Sequence, residues 1–376
     1  MPFTPPSLYI HIPFCVRRCP YCDFAVSVNK RTDFRAAYLE ALRLELKTQL
    51  SGQNAILQTI FCGGGTPTEL TASQLNCVLD TVRQYATLTP DAEISLEANP
   101  ENLSPQTLSE LRAGGWNRLS LGAQSFDDTT LQFLGRAHDA HRVENAVREA
   151  RSAGWTNISL DLIYGAPHQT LEMWRKTLER AVELGVPHIS AYSLTVETGT
   201  ALGHRASKGF FRPLDDDQLA DRMDAAVEIL EAAGLERYEV SNWAKPGFEC
   251  RHNQNYWRGG SYFAVGCGAH GHFDGERFWN ERDTKIYVRR VAESGNARAE
   301  TERLEAHQRL IERVATGLRT REGVLLEKGE ADSLQPTLKL MCEANLLTWD
   351  GVRLQPVKST FALADGLAER LIGHIL

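Results

Sequence analysis

Six short runs rich in β-branched and aliphatic residues, at 8–12, 56–61, 93–97, 118–122, 158–163 and 188–194, alternate with longer stretches of helical periodicity. In the first of those stretches Phe34, Tyr38, Ala41, Leu42, Leu46 and Leu50 recur at three- or four-residue spacing, which makes one apolar face fit to lie on a sheet. Repeated βα units in one sheet connect through right-handed crossovers, so they either wind into a barrel or form an open doubly wound sheet. The expected fold is α/β, an open partial (β/α)6 TIM-like barrel. Its functional groups should sit at the carboxyl ends of the strands. Cys15, the Gly63 to Thr66 run, Glu97, Gln124 and Asp161 all fall at or near such ends.

At 376 residues the chain exceeds what one hydrophobic core usually organises. A helix near 215–233 ends the alternation, and an aromatic-, Gly- and His-rich segment follows from Tyr238 to Trp279. From Arg303 the pattern is helix, helix and hairpin, with Trp349, Asp350 and Gly351 at the turn, which predicts a smaller winged-helix-like C-terminal domain. The expected divisions are 1–237 for the barrel, 238–295 for a connecting segment and 296–376 for the C-terminal domain. A regulatory role through that last domain is one alternative, but it carries no dense Lys/Arg stripe for phosphate contacts. The formal net charge of −7 likewise gives no cationic field, so no nucleic-acid partner is expected. No apolar run approaches the ~20 residues that span a bilayer, and Met1 to Ser7 lacks the start of a signal peptide. The expected location is the cytosol, where any membrane contact is peripheral.

Three of the eight cysteines lie within eight residues, which in a reducing compartment points to metal rather than disulfides. Cys62, Cys77, Cys250, Cys267 and Cys342 read as buried or part-buried packing thiols. Cys15, Cys19 and Cys22 form C-x3-C-x2-C. Thiolates hold iron–sulfur clusters, and three of them leave one iron of a 4Fe–4S cluster open to a small chelating molecule. A zinc site would need a fourth protein ligand, and nothing nearby supplies one convincingly. His11 lies on the first strand and reads as a packed or hydrogen-bonded side chain. Gly63-Gly64-Gly65-Thr66-Pro67-Thr68 ends the second strand, where glycines let backbone approach a ligand closely. A plain tight turn is the competing reading.

This loop at the end of a first βα strand resembles the radical S-adenosylmethionine superfamily. The resemblance implies a barrel of the radical SAM type, a 4Fe–4S cluster on Cys15, Cys19 and Cys22, and S-adenosylmethionine on its open iron. The glycine run resembles the family's motif for the methionine amino group. Glu97 in Ser-Leu-Glu-Ala-Asn-Pro, Gln124 in Gly-Ala-Gln-Ser-Phe, Arg136 in Leu-Gly-Arg-Ala-His and Asp161 in Leu-Asp-Leu-Ile-Tyr-Gly resemble, as a set, the group containing oxygen-independent coproporphyrinogen III oxidase. By that match Tyr9, Tyr21, Gly64, Gly65 and Thr66 join them as S-adenosylmethionine contacts.

Two departures set the chain apart from that oxidase, whose loop continues C-x3-C-x2-C-x-C behind an N-terminal extension. Here Asp23 and Phe24 follow Cys22, and only eight residues precede Tyr9. Both features resemble the HemW haem-chaperone branch, whose H-N-x-x-Y-W signature matches His252-Asn253-Gln254-Asn255-Tyr256-Trp257. An imidazole can ligate haem iron, and Tyr and Trp offer flat apolar surface to a porphyrin; packing at a domain junction is the other reading of these side chains. The resemblance implies haem as cargo at His252, Asn253, Tyr256 and Trp257. It also implies acceptor haemoproteins that include respiratory-chain components at the membrane, and dimerisation. His270 and His272 are further candidate ligands. Anaerobic coproporphyrinogen oxidation is the leading alternative, so whether the chain is an enzyme stays open.

Overall fold

The computed structural model describes residues 6–373; residues 1–5, which carry most of the signal-peptide expectation, lie outside them. The six expected strands are β1 (Ser7–Ile12), β2 (Ile56–Gly64), β3 (Thr87–Ala98), β4 (Arg118–Gln124), β5 (Asn157–Tyr164) and β6 (His188–Ser193). They pair in sequence order, all parallel. After the first helix, whose N-cap Arg31 makes no such bond, the helices between them start at side-chain caps, including Ser104, Asp139, Thr170 and a Thr71/Gln74 capping box. Each cap satisfies a backbone N–H that the first helical turn leaves without a partner.

Alternation along the strands sorts the residues into two faces. Leu8, Ile10 and Ile12 of β1, and Leu119, Leu121 and Ala123 of β4, are fully buried in the core shared with the helices. Their neighbours Tyr9, Arg118, Ser120, Gly122 and Gln124 face the opposite way and line a cavity. The helix Thr32–Leu50 buries Tyr38, Ala41, Leu42, Leu46 and Leu50, as its spacing predicts, and also Glu45 and Gln49.

The sheet is larger than six strands. Residues 236–303 add β7 (Glu236–Glu239), β8 (Asn242–Ala244), β9 (Tyr262–Val265), β10 (His270–Phe273), β11 (Glu276–Asn280) and β12 (Arg298–Arg303). The order across the twelve strands is β12-β11-β10-β9-β1-β2-β3-β4-β5-β6-β8-β7. β1 is therefore an inner strand, held by β2 on one side and by β9, parallel to it, on the other. The segment set apart as a connector is woven into both flanks of the barrel. Short strands broken by glycines and single polar residues hid this, because strands this short carry little alternation. β12 pairs with β11, and a second apolar core, from Leu310 to Ile372, begins after it.

That second unit runs helix, β13 (Val324–Leu325), two helices, β14 (Leu347–Trp349) and β15 (Arg353–Pro356), with sheet order β13-β15-β14. The expected helices and hairpin are there, joined by β13 and a closing helix, Ala364–Ile372. Of the five cysteines read as packing thiols, Cys62, Cys250 and Cys267 are buried and Cys342 is half-buried, while Cys77 is exposed on its helix. Among the described residues no helix is long and apolar enough to cross a membrane.

Candidate functional site

The strand ends open onto one cavity of about 710 Å³, within the ~300–1,000 Å³ range of small-molecule sites. Cys15, Cys19, Cys22, Tyr9, Tyr21, Gly64, Gly65, Thr66, Glu97, Gln124, Arg136 and Asp161 all line it. The cysteine loop leaves β1 and is closed at its base and tied to the end of the glycine run: Cys15 N–H donates to Ser27 O at 3.0 Å, and Thr66 N–H donates to Phe14 O at 2.8 Å. Cys15 Sγ lies 3.6 Å from Thr66 Oγ1, and Arg136 Nη1 donates to Cys19 Sγ at 3.6 Å.

The three sulfurs are free thiols at the cavity wall and do not converge as ligands of a single ion would. They still feel one another: burial pushes Cys15 up to about 11, and the charges of Cys22 and Cys19 add to the rise. Cys22 is also raised, mainly by burial. Such thiols ionise when metal displaces the proton, so the donor set fits a cluster held at three corners. A 4Fe–4S cluster would be held by Cys15, Cys19 and Cys22, and with S-adenosylmethionine it supplies one-electron chemistry at this rim.

The glycine run meets the conditions for close ligand approach. Gly64 has φ +112°, and a Cβ on Gly65 would stand 2.7 Å from the Pro13 carbonyl. Gly64 N–H donates to Glu97 Oε2 at 3.0 Å. Burial, then the nearby Asp161 charge, lifts Glu97 to about 7, so its carboxyl is poised between charged and neutral forms. Asp161 is likewise raised by burial, although Ser120 Oγ donates to it at 2.9 Å. Gln124 has φ +64° at the end of β4, a conformation a non-glycine residue keeps only under constraint. These features fit a polar cofactor seated across the β2–β5 ends.

The four residues of the signature divide. The helix Arg251–Trp257 begins beside Glu93, whose carboxylate accepts from Arg251 N–H and His252 N–H. Asn253 and Tyr256 reach the cavity, whereas His252 and Trp257 do not line it. His252 is fully buried, with Nδ1 2.7 Å from Thr59 Oγ1 and Nε2 2.7 Å from the Tyr256 hydroxyl. Burial and the Arg118 charge depress its pKa to about 3, so the ring is neutral. Trp257 lies under the Arg319 guanidinium, 5.2 Å from its ring centroid, at the junction with the C-terminal unit. His11, read as a packed strand residue, is buried with both ring nitrogens near partners, Tyr9 OH and Ala25 O. His270 is exposed and stacks on Trp279.

Several cavity residues escaped sequence reading: Asn99, Arg118, Ser120, Ser190 and Tyr192. Period two counted back from Gln124 along β4, and back and forward from the Asp161 level on β6, would have found most of them.

A model of the radical SAM superfamily matches residues 9–181. The haem chaperone HemW of Mycobacterium tuberculosis (strain CDC 1551 / Oshkosh) is 39% identical, covering 99% of this chain and 96% of that relative. This chain belongs to the HemW family of radical SAM proteins. HemW of Escherichia coli K12 is 42% identical over 71% of this chain and 70% of that relative, and HemW of Bacillus subtilis 168 is 39% identical over 85% and 84%. Among solved structures, coproporphyrinogen III oxidase (HemN) from Escherichia coli, described as a radical SAM enzyme, superposes with TM-score 0.84 at 25% identity, covering 98% of this chain and 90% of that one. In the cysteine loop Phe24 is 67% exposed, while Asp23 pairs with Arg282 at 3.1 Å.

Proposed function

We propose that this chain is a haem chaperone: it binds haem as cargo beside a 4Fe–4S cluster and S-adenosylmethionine, and passes the haem to acceptor haemoproteins. The observation that carries this reading is the meeting, in one cavity, of the three thiols, the glycine rim and the Asn253 and Tyr256 side chains of the signature helix. The relatives that cover nearly the whole chain bear the name haem chaperone HemW. In this reading Cys15, Cys19 and Cys22 hold the cluster, and Tyr9, Tyr21, Gly64, Gly65, Thr66, Glu97, Gln124, Arg136 and Asp161 hold S-adenosylmethionine. Asn253 and Tyr256 present the haem contact, and His252 positions Tyr256 through its 2.7 Å bond unless haem draws it out of the wall. Acceptors at the membrane and cluster-dependent dimerisation belong to the same proposal.

The second reading, coproporphyrinogen oxidation, is favoured by the likeness in fold to HemN. One experiment separates them: anaerobic cluster reconstitution, then parallel assays for haem uptake and for coproporphyrinogen III conversion with reductant and S-adenosylmethionine. Stable haem uptake without product supports the chaperone. Product without specific haem uptake makes the chain an oxidase and leaves His252 to Trp257 as packing.

A further inference from the structure

Arg118 opens β4 and belongs to the cavity wall, yet it is only 2% exposed. Among the described residues its guanidinium has neither a hydrogen-bond nor an ion-pair partner, and its Nε is buried without an acceptor. Three carboxylates lie within its field, Glu93, Glu97 and Asp161, but each is bonded elsewhere. Glu93 accepts from Ser95 and from the backbone of Arg251 and His252. Asp161 accepts from Ser120 and Ser159, and Glu97 from Gly64. The cavity's other deep arginine differs. Arg136 donates to Cys19 Sγ, Asn99 Oδ1 and Gly122 O.

A buried guanidinium carries five N–H donors in a planar fork and cannot shed its proton, so leaving it without acceptors is among the costlier arrangements in a fold. Its geometry matches two oxygens of one carboxylate. We propose that Arg118 is the cavity's carboxylate anchor, gripping a ligand carboxylate with its fork at the floor below Asp161. The inference rests on the proposed binding function and adds the group by which the ligand is oriented. Haem propionates and the methionine carboxylate of S-adenosylmethionine share this chemistry.

The test uses the full chain with reconstituted cluster and compares two ligand pairs: haem with haem dimethyl ester, and S-adenosylmethionine with its decarboxylated form. Dissociation constants are measured for the wild type, Arg118→Lys and Arg118→Gln. The expected result is a preference for the acid in one pair that shrinks by about tenfold in Arg118→Lys, since a point charge loses the paired bonds. A shift in the haem pair identifies the cargo's carboxylate; a shift in the other pair identifies the cofactor's. Equal weakening of acid and carboxylate-free forms, or no change in either pair, overturns the proposal and leaves Arg118 as fixed counter-charge to its three carboxylates. Should the variants fail to fold, a crystal structure of the wild type with bound ligand decides. A carboxylate within ~3.2 Å of the guanidinium supports the anchor, and a carboxylate placed elsewhere overturns it. A wild type that binds neither haem nor S-adenosylmethionine ends the chaperone reading itself, and the anchor with it.

Discussion

The cysteine and glycine rim and the signature helix face the same cavity, but they relate to it differently. Every residue assigned to the cluster or to S-adenosylmethionine lines the cavity, while the helix sends Asn253 and Tyr256 inward and keeps His252 and Trp257 out of it. A strand end has only two faces, so its position nearly fixes where a side chain points. A helix turns about 100° per residue, and adjacent signature residues necessarily diverge. A linear motif on a helix therefore mixes contact residues with those that hold the contacts in place.

The largest effect should come from the rim: replacing Cys15, Cys19 or Cys22 by Ser should abolish stable cluster assembly, read as iron content and visible absorption after reconstitution. Retention of a full cluster in any of the three variants would break the rim side of the comparison. On the helix side, His252→Ala should cost about 3 kcal/mol in denaturant unfolding, because it opens a cavity and strips Thr59 and Tyr256 of a buried partner. Haem retention should fall in Tyr256→Phe as well, with cluster absorption intact in both. A loss confined to His252→Ala would recast the histidine as the iron ligand.

Gly65→Ala should destabilise by about 1–3 kcal/mol, because its methyl group meets the Pro13 and Phe14 backbone rather than a movable side chain. It should also weaken S-adenosylmethionine binding, measured by calorimetry, while leaving haem uptake less affected. A pH profile sharpens the contrast from outside both regions. Glu45, buried behind β9, accepts from Gly266 N–H, Tyr287 and Asn280, and burial raises it from 4.5 to about 7. Between those values the folded chain keeps a proton that the unfolded chain has lost. Stability from this site is thus full below about 4.5 and declines as pH rises through 7. Glu45→Gln should flatten that decline by about 1–3 kcal/mol, measured by unfolding between pH 5 and 8. The smallest change is expected from Arg319→Met, which removes the cation over Trp257 and should cost about 0.5–1 kcal/mol without altering cluster content.

The central barrel was legible because Leu8, Ile10 and Ile12, and their counterparts on later strands, alternate with polar residues over a full strand length. β9 to β12 were not, since Tyr262–Val265 and His270–Phe273 are four residues each and take their identity from partners far away in sequence. The rim was legible through strand ends and through family motifs. Arg118 was not, because a lone arginine at a strand start looks like a surface charge until the neighbouring strands enclose it. Glu45 was hidden likewise: on a helix read for its apolar face, one carboxylate among leucines gives no sign that backbone from residue 266 will come to meet it.

The position of β1 between β2 and β9 has a consequence during biosynthesis. Cys15, Cys19 and Cys22 are made before β9, so the strand from which their loop leaves gains its second neighbour only later. Until then the three thiols follow a strand with one unpaired edge, and a product truncated before β9 would present them beside that open edge.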